Sequence, residues 1–371
     1  MREEGKVSAF QVTLYQVSAV LATLVLFVPT IATMRARQDV WLSGVLACLF
    51  GLLAVFIAAK LALRFPEQTV IQYTPRLLGW FLGKMAGFIY VFFFFFVAYI
   101  NQRQFGELMT TAYYPSTPII VFIGILTLLA CYLVYLGLEV LCRVIVLWGA
   151  FGVTFFVLLA LVLKDIKVSN FLPFLEHGIG PVVAGAMAPG ALFIETTIIL
   201  MVIPFMSDKN RAVRNSLAAV FMLFVLFEMV VVPAVGVMGA ESVSRLMFPY
   251  FTLSRRVHIP ILPVLERQDA ILMVFWVGGL LWKLGVFMHA GVMGLGQWLG
   301  LKSHRPLIFP VGALLIALSM QGWESVIDLF AAASETFYIA IFPTFVLPAL
   351  LLLVAVLRGM RDEPLNREDE G

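Results

Sequence analysis

Charge is what this chain has least of: only 13% of its 371 residues are Asp, Glu, Lys or Arg, where a soluble domain carries about a quarter. Cysteine is nearly absent. Cys48, Cys131 and Cys142 are odd in number, lie in or beside apolar runs and show no metal-ligand spacing. They read as small buried side chains and argue against a disulfide framework or a metal site. No G-x-x-x-x-G-K-[ST] phosphate loop and no nucleophile elbow occurs, so neither catalysis nor a cofactor is expected. The net charge is only +3, and the basic residues sit in short loops rather than in a patch, which speaks against a nucleic-acid partner.

Apolar residues fill the remaining space. They make up 62% of the chain, with a mean hydropathy of +1.00, the composition of an all-α polytopic membrane protein. Ten apolar stretches can be drawn, at about 10–34, 41–62, 84–111, 117–137, 143–164, 187–206, 212–238, 268–295, 306–322 and 335–357. The first follows the polar start MREEGKVSAFQ without a small-residue cleavage site and reads as a retained helix. No long linker divides the stretches, so 1–371 reads as one transmembrane domain. Fifteen of the 25 Lys and Arg fall in segments on the side of the N-terminus and eight on the other, while Arg103 and Lys283 lie within spans. Both termini are therefore expected to be cytoplasmic. Segment 63–83, mixing Pro, charge and aromatics, suggests an interfacial helix. Segment 165–186 suggests a short outer helix.

The informative residues are ionisable groups inside spans, because a charge at membrane depth is costly and needs a partner, a cavity or a pathway. Glu195 lies in MAPGALFIETTIILMVIPFM, between Pro189-Gly190 and Pro204. Pro204 lacks an N–H and crowds the carbonyl one turn back, which loosens the helix just after Glu195. Lys283, midway along VFWVGGLLWKLGVFMHAG, is too deep to snorkel easily. It reads as an internal cation, coupled through its charge or its proton to Glu195, or as half of a structural pair with Glu195 or Glu228. Arg103 and Glu107 are spaced to pair along one helix face. Glu228 reads as a protonated, hydrogen-bonded acid, and His289 as a weak candidate for a proton relay.

Val20 precedes Pro29 by nine residues, as Glu195 precedes Pro204, a faint mark of two matching halves, about 10–164 and 187–357, with a tail from 358 to 371. Several segments together resemble the B subunits of bacterial spore germinant receptors, within the amino acid–polyamine–organocation superfamily. They are Gln38-Asp39-Val40-Trp41, Asn170-Phe171-Leu172-Pro173 with Gly178, Pro181 and Gly185, Glu195 with Pro204, and Phe248-Pro249 to Leu265-Glu266-Arg267-Gln268-Asp269 followed by Trp276 and Lys283.

The resemblance implies a five-plus-five inverted-repeat transporter fold of ten spans, with helices one and six broken near their centres. It implies a nutrient sensor in the spore inner membrane, working with germinant receptor A and C subunits. Its ligand, a small germinant such as an amino acid, would sit between the broken helices. Ser18, Ala19, Ala22 and Thr23 would face Gly190, Phe193, Ile194 and Glu195, with Tyr99 alongside. Relatives often have glycine where this chain has Ala22-Thr23, so a pocket of amino-acid size is expected. A proton-coupled amino-acid permease is the alternative reading, and a scaffold with a vestigial pocket a third. For the orientation, cysteines introduced at Arg2 and Arg367 should resist an impermeant thiol reagent outside sealed vesicles. A cysteine near Lys167 should react. Labelling of either terminus would overturn the assignment.

Overall fold

A bilayer offers no partners to backbone N–H and C=O groups, so apolar stretches must satisfy them internally as helices. The structure, a computed structural model, describes residues 6–254, 268–322 and 337–362. The first span is three short helices, α1 (Ala9–Ser18), α2 (Leu21–Leu26) and α3 (Val28–Ala36). Ser8 starts it with a capping box, its Oγ accepting from the Gln11 N–H while Gln11 Oε1 accepts from the Ser8 N–H. The helix is interrupted at Ala19–Val20 and again at Phe27, just before Pro29.

Then follow α4 (Val40–Ala62), the short α5 (Val70–Leu78), α6 (Trp80–Leu108), α7 (Ile119–Leu136) and α8 (Leu138–Ala160). The sixth span begins as α9 (Ile179–Phe193), tightens to 3-10 turns over Ile194–Ile198, resumes briefly as α10 (Ile199–Val202) and ends in a 3-10 turn at Ile203–Phe205. Its irregularity begins one residue before Glu195, earlier than Pro204 alone would place it. Thr196 and Thr197 account for that. Their hydroxyls donate to the Phe193 and Ile194 carbonyls at 2.6 and 2.8 Å, offering the backbone an alternative to the regular ladder. The chain continues through α11 (Ala212–Met238), α12 (Ala240–Arg245), α13 (Pro249–Ser254), α14 (Gln268–Leu299) and α15 (Ile308–Gln321) to a last helix over Leu347–Leu357.

Among the described residues, 7 helices are long and apolar enough to cross a membrane, against the ten stretches of the sequence. The first stretch is cut into pieces. The ninth is helical over Ile308–Gln321, where the described segment ends. Segment 63–83 holds the amphipathic α5, capped by Thr69 and Gln72. Segment 165–186 differs from expectation. It holds a 3-10 turn at Val168–Phe171 and a loop that runs directly into α9, with no separate α-helix. Gln38 and Asp39 hold that loop, the first donating to the Pro173 carbonyl and the second accepting from the Leu175 N–H. Leu265-Glu266-Arg267 lies outside the described residues.

Spans one and six run antiparallel and touch along their length. At one end Val7 donates to the Phe205 carbonyl and accepts from Ser207, at 2.8 and 2.9 Å. At the other, Gly185 packs on α3 so closely that an added Cβ would lie 2.7 Å from the Ala36 Cβ and 3.0 Å from the Ala32 carbonyl oxygen. Gly185→Ala should therefore cost about 1–3 kcal/mol by overpacking, read as a lowered unfolding temperature in detergent. Gly180→Ala, with nothing within 4 Å of the new Cβ, is the control and should change little. Equal behaviour of the two variants would mean that the helices do not meet there.

Candidate functional site

The irregular stretch of span six places Glu195 inside the protein, against α14. Lys283 Nζ donates to Glu195 Oε2 at 2.8 Å, and the two side chains are 2% and 3% exposed. Of the two partners open from the sequence, the structure therefore gives Lys283 Glu195 rather than Glu228. Nζ also lies 5.7 Å from the centroid of the Phe287 ring, a cation–π contact of the kind that strengthens when desolvated. A buried pair of this kind is costly to assemble, and losing one partner costs about 3–5 kcal/mol because the other charge is stranded.

Polar side chains tie the first span to the pair. Gln16 Nε2 donates to the Thr196 carbonyl at 2.7 Å, and Gln16 Oε1 accepts from Ser216 Oγ at 3.2 Å. Tyr15 Oη donates to the Val286 carbonyl of α14 at 3.3 Å. Two consecutive residues of α1 thus hold the 3-10 turn that carries Glu195 and the helix that carries Lys283. On α6, Asn101 Nδ2 donates to the Leu280 carbonyl at 2.8 Å and Gln102 Nε2 to Thr127 Oγ1 at 2.6 Å. Arg103 is buried, pairing with Glu107 at 2.6 Å and donating to the Ser319 carbonyl. The polar end of the third stretch is therefore part of the interior rather than a solvated helix end. His289 is also buried, its ring 6.3 Å from that of His304.

The residues expected to line one pocket divide among several environments. Glu195 meets Lys283. Ala19 and Ile194 are buried at the two helix interruptions. Thr23 Oγ1 reaches Gln104 Oε1 at 3.5 Å. Phe193 and Gly190 turn toward α4, where Phe193 fills the space beside Gly51 and Gly190 faces Phe50. Tyr99 packs edge-on against Phe96, with ring centroids 5.6 Å apart. Ser18 and Ala22 face an apolar crevice of about 380 Å³ between α1, α8, α11 and α14, which neither Glu195 nor Lys283 lines. Ala22 also abuts α14, since a Cβ at Gly279 would lie 2.9 Å from its own. Sequence reasoning missed Gln16, Asn101 and Gln104. Each is an amide inside an apolar stretch, and that incongruity was the available signal.

The comparisons with known proteins bear on this arrangement. The sequence profile of the spore germination protein family matches residues 6–325. Spore germination protein KB of Bacillus subtilis (strain 168) is 25% identical over 294 residues, spanning 77% of each chain. Spore germination protein YndE of the same organism is 24% identical over 353 residues, 95% of this chain and 96% of its own. In three dimensions, the crystal structure of MhsT in complex with L-phenylalanine matches with a TM-score of 0.65 at 12% identity, over 96% of this chain and 99% of MhsT. That likeness is one of fold, and it identifies the helical arrangement as that of a transporter of the MhsT type, here with the first and sixth spans interrupted. Matched along most of its length and built as a helical membrane protein on that fold, the chain belongs to the spore germination protein family.

Proposed function

We propose that this chain is the nutrient-sensing membrane subunit of a germinant receptor, with both termini cytoplasmic in the spore inner membrane. It binds an amino acid or similar small zwitterion where spans one, six and eight meet, and passes the change to A and C partner subunits. The observation that carries this reading is the Lys283–Glu195 pair, a cation and a carboxylate facing each other across an interrupted helix inside a transporter fold. A zwitterion is complementary to such a pair. Its ammonium replaces Lys283 at Glu195 and its carboxylate takes the freed lysine or the N–H groups at the first-span interruption. Neither buried charge is stranded by the exchange, so the cost of opening the pair is offset only by a ligand carrying both charges. In the closed arrangement the pair locks α14 to span six. In the opened one α14 and span six are joined only through the ligand. A ligand that favours the second state shifts the population toward it, and a partner subunit reads that shift.

The fold itself supports a second reading, an amino-acid permease coupled to protons through the same pair, because MhsT with its bound L-phenylalanine shares this helical arrangement. Uptake of radiolabelled amino acids into sealed vesicles bearing the purified protein separates the two: saturable accumulation marks a permease, binding without accumulation a sensor.

Two expectations follow from the pair. Lys283→Met should lose about 3–5 kcal/mol of stability, and the double change Lys283→Met with Glu195→Leu should recover most of it, since no charge is then left unpaired. Thermal unfolding in detergent measures both; a single variant as stable as the parent would remove the pair from the account. Glu195→Gln should weaken amine-bearing ligands by about 1.5–3 kcal/mol, the scale of a hydrogen bond to a charged group, and should spare ligands without an amine. Ligand-dependent thermal shifts across amino acids, amines and sugars test this. Equal weakening of every class would place the ligand elsewhere.

A further inference from the structure

Two hollows on the flank of α11 are not used by the ion pair. The crevice of about 380 Å³ is walled by Leu14 and Val17 of α1, Ile145 and Trp148 of α8, Met222 of α11 and Trp282 of α14. Its hydroxyl, that of Ser18, already donates to the Tyr15 carbonyl at 2.9 Å, and no ionisable side chain lines it. The crevice is walled by the apolar stretches of its four helices. It adjoins the bilayer-facing perimeter, where Leu147 and Phe221 are 74% and 57% exposed and Met222 is 36% exposed.

The second hollow, about 320 Å³, follows α11 toward its C-terminal end and is lined by Phe224, Val225, Val232, Leu163 and Glu228. Met229 lines both hollows, so the two adjoin through one side chain. Glu228 departs from the pattern of the other carboxylates placed inside spans. Glu195 and Glu107 each hold a basic partner, whereas Glu228 Oε1 is shielded from solvent and has no hydrogen-bond partner. Room is kept for it: a Cβ at Gly44 of α4 would stand 2.0 Å from Oε1.

A shielded carboxyl without a donor is expensive, and an apolar void forfeits the dispersion contacts of its walls. One molecule can remedy both. Its chain must be apolar, to fill the crevice. Its polar end must donate a hydrogen bond, to meet Glu228. That end must also be neutral and phosphate-free, because neither hollow is lined by Lys or Arg. We propose that the two hollows are one binding site for a neutral acyl lipid bearing a free hydroxyl, of the monoacylglycerol type. Its chain lies between α1, α8, α11 and α14, and its hydroxyl donates to Glu228. The chain then lies against Ser18 and Ala22, which flank the first interruption of the first span. Glu195 and Lys283 do not line this site, although Ser18 and Ala22, expected beside the amino acid, do.

The test uses the full-length protein in vesicles of phosphatidylethanolamine and phosphatidylglycerol. The probe is monoolein carrying a diazirine in its acyl chain, with labelled residues mapped by mass spectrometry after illumination. Labelling is expected at Leu14, Val17 or Ile145 as well as on the perimeter at Leu147 and Phe221. Unlabelled monoolein should compete at the deep positions about 2- to 10-fold better than methyl oleate, which lacks the donor. Gly149→Leu, whose new side chain enters the crevice where a Cβ would already lie 3.7 Å from Leu14, should abolish deep labelling. It should leave the perimeter labelled and thermal unfolding in detergent cooperative, the second of which reports that the variant is folded. Glu228→Leu should erase the preference for monoolein over methyl oleate. Labelling confined to the perimeter, deep labelling that survives Gly149→Leu, or a preference that survives Glu228→Leu would each overturn the proposal.

Discussion

The ion pair between Lys283 and Glu195 is the constraint from which the rest of the arrangement can be understood. Neither group tolerates the bilayer interior alone. For the two to meet, α14 must lie against the sixth span, and that span must present Glu195 inward from a locally tightened backbone. Thr196 and Thr197 supply the tightening through their own hydroxyls. Gln16 then takes the Thr196 carbonyl, and Tyr15 takes a carbonyl of α14. The first span thus binds both halves of the pair by uncharged hydrogen bonds, which cost far less to exchange than the charges do.

This division between costly and inexpensive contacts separates the firmly held parts of the two interrupted spans from the parts that exchange partners more cheaply. The antiparallel pairing of spans one and six is secured at one end by backbone hydrogen bonds and at the other by the close approach at Gly185. Between those fixed ends lie the interruptions at Ala19–Val20, Phe27 and Ile194–Ile198. Packed regions of this kind rearrange between discrete states rather than deform continuously.

Much of the fold was legible in the sequence because a membrane leaves few options. Runs of apolar residues had to be helices, and Glu195 and Lys283 stood out as charges with nowhere to go. The loosening of the sixth span was legible in part from the proline chemistry of Pro204, although it begins earlier, at Ile194. What the sequence could not convey was azimuth, the direction in which each side chain leaves its helix. Phe193 and Glu195 are two residues apart, so they leave the helix on nearly opposite sides, one packing on α4 and the other meeting α14. Gly190 and Tyr99 were likewise grouped with the site by position along the chain rather than by face. Arg103 was harder still. Its depth depended on Ser319, more than two hundred positions away, whose carbonyl its guanidinium reaches.

The short backbone pairing of Val7 with Phe205 and Ser207 has a mechanical meaning. It stitches the leading end of the first span to the trailing end of the sixth, so the two interrupted helices share an anchorage at one face of the membrane. They behave there like the pivoted arms of a pair of tongs. The two chain ends cannot part there without breaking both backbone hydrogen bonds. The spacing of those two chain ends is therefore set by backbone groups, whichever side chains line the interruptions nearer the pair.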